Sequence, residues 1–241
     1  MKKKISSIIT AVVLSTTVSG AAIASDNSFY LKADGGKTKI DSGLLDTSGT
    51  YTCGTIAATV TSDDEDSGYG ISGGYHLTEN FSIEAGYKNL GEVSENLTLG
   101  TGTCSSLIGT ITVTAASEAK AVWESDGWTL GGAYSFPVND SFTIGATAGA
   151  YFWDVELDVS ASAGAGSLVS GGTTFTWSGG SGATTLKEDG TDIYYGINAN
   201  YDISDNMSAG IGYQLFKSLG GDNVGGTSDM DYLYASLRVE L

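Results

Sequence analysis

The sequence predicts an all-β protein, an eight-stranded antiparallel up-and-down transmembrane β-barrel. Three observations carry this. Eight segments of similar length alternate apolar residues with small or polar ones, the period-two signature of a strand whose two faces meet different surroundings. The connections between them alternate short with long. The apolar face also carries aromatics in pairs six residues apart. At ~3.3 Å per residue this is about 20 Å along a tilted strand, close to the separation of the two aromatic girdles around a ~25 Å lipid-facing band.

The opening "MKKKISSIITAVVLSTTVSGAAIA" belongs to export rather than to the fold. Its lysines, short apolar run and Ala22-Ile23-Ala24 have the order of a secretory signal cut after Ala24. The apolar part is shorter than the ~20 residues of a helical span. The expected organisation is therefore a signal peptide over 1–24 and an outer-membrane barrel domain over 25–241 with four long extracellular loops. The chain has 35 glycines and a single proline, and without the signal lysines it keeps 8 basic residues against 28 acidic ones. That balance excludes nucleic acid as a partner.

The strands follow in order. Phe29, Leu31 and Ala33 alternate with Tyr30, Lys32 and Asp34. Tyr69 to Leu77 and Phe81 to Tyr87 come next, then Trp128 to Phe136 and Phe142 to Phe152. Ile193 to Ile203, Met207 to Leu215 and the closing Leu233 to Leu241 complete the eight. Three short connections, "YHLTENFS", "YSFPVNDSFT" and "YDISDNMS", share tight-turn chemistry. Pro137 lies in the second, where its missing N–H costs nothing. The long, polar connections run over 37–67, 89–126, 154–191 and 217–231. Short turns at one end and long loops at the other make a meander with an inside and an outside.

The position of the aromatics decides which face is which. Tyr69 and Tyr75, Phe81 and Tyr87, Trp128 and Tyr134, Tyr195 and Tyr201, together with Tyr213, are expected at the lipid interfaces. A soluble barrel would bury this face and wet the small, polar one; girdles at both ends place lipid outside. The last strand must then pair with the first, because an open edge in hydrocarbon leaves N–H and C=O groups unsatisfied. One irregularity stands out. After Phe152 the apolar phase passes to Trp153, Val155, Leu157 and Val159, and Asp154, Glu156 and Asp158 take the other side. Either a bulge lies there or the strand has left the lipid; the second reading is favoured, with strands continuing some way into the extracellular loops.

"FYLKADGG", "FSIEAGYKNLG", "GWTLGGAYSF" and "YYGINANYDISDNMSAGIGYQLF", with the closing strand, resemble the OmpA-type transmembrane barrel domain. The resemblance covers the eight strands and three short turns and hardly touches the long loops. It implies an outer-membrane barrel of a Gram-negative-type cell with both termini in the periplasm, surrounded by outer-membrane lipid and lipopolysaccharide. The ending also resembles the insertion signal read by the outer-membrane assembly machinery, although this one closes on Leu241 where Phe or Tyr is usual. Full OmpA proteins carry a peptidoglycan-binding domain after the barrel; the chain is expected to end at the barrel, without that tethering role.

Several residues are candidates for chemistry. Cys53 and Cys104 fall in the first two long connections, and a disulfide between them is expected in an oxidising setting; the alternative is two separate thiols. Two cysteines and one histidine make no zinc site, so no metal or cofactor is expected. The run Asp63 to Asp66 is a solvated acidic loop before it is a calcium site, lacking EF-hand order. His76 is expected at a short turn as a structural or solvent-exposed residue, and with no nucleophile and base set at the loop end no enzyme is expected. Lys32, Glu84, Lys88, Arg238 and Glu240 are expected to point inward as a charge network, because buried charges must pair or be hydrated, with Arg238 meeting Glu84 or a neighbouring carboxylate. Eight strands leave an interior just wide enough for side chains to fill. The functional expectation is a monomeric barrel that displays its loops for envelope structure or for contact with host or other surface ligands. The alternative is a small ion channel gated by that network.

Overall fold

The computed structural model describes residues 28–41 and 48–241; the expected signal peptide lies outside them, as does 42–47 of the first long connection. Among the described residues there are fourteen strands: β1 (Phe29–Asp41), β2 (Gly49–Cys53), β3 (Ile56–Asp63), β4 (Glu65–His76), β5 (Phe81–Leu99), β6 (Gly102–Ser106), β7 (Gly109–Val113), β8 (Ser117–Asn139), β9 (Phe142–Ala163), β10 (Gly166–Ser170), β11 (Thr173–Trp177), β12 (Gly180–Ser204), β13 (Met207–Gly221) and β14 (Gly226–Glu240). Eight of them close a ring in the order β5-β4-β1-β14-β13-β12-β9-β8, with β8 returning to β5. Every neighbouring pair is antiparallel. The seam is β1 with β14, in register from Tyr30↔Glu240 to Asp41↔Asp229. The final strand is thus the ring's closing member.

The apolar face points outward. Ile197 is 66 % exposed and Leu237 45 %, whereas Tyr30, Tyr151 and Tyr232 on the opposite face are fully buried. All nine expected interface aromatics lie on the outer face; Tyr75 and Tyr87 are half-covered, Tyr75 by Phe29 and Tyr87 by Trp128. Such a surface is stable only against hydrocarbon, and the barrel is a transmembrane one.

The strands continue into the long connections, as the switch after Phe152 leads one to expect, and much further than a short extension. Most of their length is strand: β5, β8, β9 and β12 run far past the outer aromatics, and the first three connections each fold a hairpin. Within β9 no bulge follows Phe152. β9 stays in register with β12 from Tyr201↔Phe142 to Gly180↔Ala163. What changes is the medium outside the wall. Below this point Phe152 faces lipid; above it Asp154, Glu156 and Asp158 face water, and Trp153 and Val155 fill the interior. The barrel is polar within where lipid surrounds it and apolar within where water does.

Candidate functional site

The expected charge network is built on β1 and β5, which are separated by β4. Lys32 Nζ lies 2.6 Å from Glu84 Oε2, and Tyr30 donates its hydroxyl to Glu84 Oε1 at 2.7 Å. One step further out the motif repeats. Lys88 Nζ lies 2.5 Å from Asp34 Oδ1, and the Tyr232 hydroxyl donates to the same oxygen at 2.8 Å. Both pairs cross over the inner surface of β4, which is why that strand reads "GYGISGGY". A Cβ on Gly70 would come within 2.6 Å of Lys88 Cδ, and one on Gly74 within 2.0 Å of the Tyr30 ring. The glycines leave room for bridges that span two strands.

Arg238 does not reach Glu84. Its Nε is 3.0 Å from Glu240 Oε1, and its guanidinium lies over the Tyr30 ring at 5.2 Å. Lys32 on β1 takes Glu84 instead, leaving Arg238 nearer the short-turn end. His76 Nε2 is 3.3 Å from Glu240 Oε2, and its ring packs on Tyr30. Sequence reasoning placed Lys32, Glu84, Lys88, Arg238 and Glu240 inside but missed Asp34 and the two tyrosines. The signal available was their shared phase: Tyr30, Lys32 and Asp34 alternate along one face of β1.

Above the ion pairs the interior closes. Leu90, Trp153, Val155, Phe216, Leu219 and Met230 belong to one buried apolar cluster that spans several strands of the ring. Lys88 lies beneath the stacked rings of Tyr232 and Tyr234, 4.9 and 5.2 Å from their centroids. Val224, in the one-turn helix of the fourth connection (Asp222–Val224), drops into the same cluster. The lumen is therefore filled by charged pairs at membrane depth and by an apolar plug beyond it.

Beyond the plug the first three connections lock together into an apex. The β2–β3 hairpin extends the barrel wall through β3 and β5. β6, β7, β10 and β11 form a second sheet in the order β11-β10-β7-β6, so the second and third connections share a ladder. Cys53 and Cys104 form a disulfide that ties the first connection to the second. Beside it the Thr55 amide donates to Thr103 O at 2.9 Å and the Thr103 amide to Thr55 Oγ1 at 2.8 Å. Ile56, Cys104 and Val113 bury a small core there.

Charge is sorted by height. Residues 48–62, 96–117 and 159–186 carry no charged side chain, although the chain's formal net charge is −17. The acids gather at the base of the extension. Glu92, Glu124 and Glu156 stand side by side on β5, β8 and β9, and Lys187 of β12, paired with Glu156, continues the row. Partial burial and the neighbouring Glu92 raise the Glu124 carboxyl above its ordinary value. In the acidic run of the first connection, Asp64 pairs with Lys39 at 3.2 Å and Asp66 accepts the Glu92 amide at 2.8 Å. Among the described residues no group of three metal-ligating side chains is assembled.

No protein of curated function matches the sequence. Among solved structures the chain is similar to Neisserial surface protein A, with 16 % identity, 90 % of this chain and 100 % of that one covered, and a TM-score of 0.43. It is similar to the outer membrane protein OprG of Pseudomonas aeruginosa at 14 % identity, 91 % and 99 % coverage and a TM-score of 0.42. For Ail, the attachment invasion locus protein of Yersinia pestis, the values are 12 %, 88 % and 97 %, and 0.33. The family match is to the OmpA-like transmembrane domain over residues 24–239, a range that takes in the ring's eight strands from the seam at β1 to the seam at β14. The chain belongs to the family of OmpA-like transmembrane domains, β-barrels of the bacterial outer membrane.

Proposed function

We propose that the barrel is an anchor whose work is done by the apex, a rigid, uncharged platform held clear of the membrane for contact with other surfaces. The observation that carries this is the mutual locking of the three hairpins by a shared ladder and a disulfide. Loops that merely connect strands need no such cross-ties, whereas a recognition surface gains from being held in one shape before it binds. Ail is by its name an attachment protein, and surface contact by this chain is the corresponding reading. The apolar plug above the ion pairs favours this scaffold role over the channel alternative, because opening a path would require unpacking Trp153, Phe216 and Met230. His76 lies at the opposite end from the apex, against Glu240 and Tyr30, and the protein is read as non-catalytic.

The test is deletion of the β10–β11 hairpin, 166–177, with the β9 and β12 ends rejoined, in cells that display the protein. Adhesion to host-cell and abiotic surfaces should fall to the level of cells lacking the protein, while the heat-modifiable mobility of the folded barrel on gels is kept. Unchanged adhesion with a folded barrel would overturn the proposal.

A further inference from the structure

The second sheet and the upper part of β12 leave one long edge open. Among the described residues β11 pairs only with β10, and β12 has no partner on the side away from β9 until Tyr194↔Phe216. Residues 173–186 are all exposed and include neither a charge nor a proline. Natural sheets guard such edges with lysine, proline or a bulge, because bare N–H and C=O groups recruit further strands. Here the charges begin just past this segment, at Lys187, Glu188 and Asp189.

Two glycines on this edge have no internal reason to be glycine. A Cβ on Gly180 or Gly182 would meet nothing within 4 Å, and neither has a positive φ. Glycine weakens a strand interior and often marks the close approach of another backbone. Phe175, 59 % exposed, stands on the same edge, as does the backbone of Trp177, whose indole N–H donates to Gly164 O at 3.1 Å.

We propose that this edge, Thr173–Leu186, is a docking strand for a second copy of the same chain, added antiparallel. The proposal rests on the surface-contact reading above and names its partner. An antiparallel pair about a two-fold axis is self-complementary. With the two segments fully overlapped, Phe175 lies opposite Thr184 of the other copy, Thr176 opposite Ala183 and Trp177 opposite Gly182. Each aromatic position then lies opposite a small residue, Thr184 or Gly182, with no bulky side chain in the way of the pairing. Elsewhere two copies of so acidic a chain repel one another; at this edge they do not.

The topology also fixes where the second copy sits. β12 runs without interruption from Gly180 into the membrane-spanning wall and ends at Ser204, so its direction reports the direction of the membrane. Reversing the strand by a two-fold axis normal to the barrel wall reverses the barrel. The two copies therefore belong to two facing membranes, and each barrel can remain single within its own. The contact is made by backbone hydrogen bonds between uncharged strands, supported by side chains in alternate positions.

The experiment uses the full-length protein in phosphatidylcholine vesicles, with clustering followed by light scattering. Vesicles carrying the wild-type chain should cluster with one another and not with protein-free vesicles. Clustering should strengthen as salt rises from low to physiological concentration, because screening at a Debye length of about 8 Å relieves the acidic bases. Ala183→Lys should reduce it to the protein-free level, as should Thr176→Glu alone. Mixing these two vesicle populations should restore it, since the new charges face each other in the proposed register. Thr176→Cys and Ala183→Cys vesicles should form a disulfide-linked dimer only when mixed. Dispersed wild-type vesicles, or clustering that survives Ala183→Lys, would overturn the proposal. If wild-type vesicles stay dispersed while cells still adhere through the 166–177 hairpin, the edge does not take a second copy but the surface-contact reading stands; loss of both overturns both.

Discussion

Glu84 sits where two side chains from β1 converge, with Lys32 and Tyr30 both bonded to it in a wall that lipid surrounds. Removing one member of a buried ion pair leaves the other uncompensated, at a cost of about 3–5 kcal/mol, whereas replacing both with apolar residues of similar size is often neutral. Glu84→Ala should accordingly destabilise the barrel by about 3–5 kcal/mol in urea unfolding from lipid vesicles. The double variant Lys32→Met, Glu84→Leu should recover most of the loss. Glu124, outside the lipid, offers a second test. Its carboxyl binds its proton more tightly in the folded chain, so between its ordinary value of 4.5 and the raised one the folded state holds more protons than the unfolded. Stability from this site is present at lower pH and is lost as pH rises through that window. Thermal unfolding of Glu124→Gln should lack this part of the pH dependence, and the variant should gain on the wild type as pH rises to neutrality. The inward phase of Lys32, Glu84, Lys88, Arg238 and Glu240 was legible because alternation fixes the face of every residue in a strand. The pairings of Lys32 with Glu84 and of Lys88 with Asp34 were not, because β1 and β5 meet across β4 and nothing local in either strand records that meeting.

Among the elements, β9 teaches most. Its lower half alternates apolar-out and its upper half apolar-in, with no break in register, so a single straight strand reads as two contradictory patterns. Sequence reasoning caught the switch at Trp153 because the strand there is still strongly patterned. It missed β6, β7, β10 and β11, five-residue strands of mostly Thr, Ser and Gly with one or two apolar residues each, too short for alternation to stand out. Where both faces meet water the period fades, and a ladder is specified by pairing that one strand does not show. The upper core behaves like that of a soluble domain, and Trp153→Ala should cost about 3–5 kcal/mol, the usual range for a buried large aromatic. Because Trp153 lies beyond the lipid, the loss should concentrate in the extension. Hydrogen exchange should rise in the upper halves of β8, β9 and β12 and stay low at Thr129, Thr147 and Ser208.

For the molecule as a whole, barrel closure and apex cross-ties are separate devices. The seam of β1 with β14 closes the wall in lipid, and the Cys53–Cys104 bridge, 51 residues apart in sequence, holds the apex. In the chain-entropy model a loop of that length is worth about 4 kcal/mol. Strand pairing already restrains both cysteines, so most of the effect should be local. Reduction, or Cys53→Ser with Cys104→Ser, should leave the folded mobility of the barrel unchanged. It should open the β2–β3 and β6–β7 hairpins to added protease, with cleavage mapped by mass spectrometry to residues 48–62 and 102–113. The eight-stranded closure could be foreseen because a membrane strand has to find a partner on each side. The apex could not, since hairpins in water have many ways to be satisfied and the disulfide gave the only hint of which one is used.

The handover between Phe152 and Trp153 sets a depth mark on the wall. Sinking the barrel by two residues would push the Asp154 and Asp126 carboxylates into hydrocarbon, and raising it by two would strip oil from Trp128 and Phe152. A bilayer of mismatched thickness must therefore bend to this protein, thinning or swelling around a collar whose height the chain has already chosen.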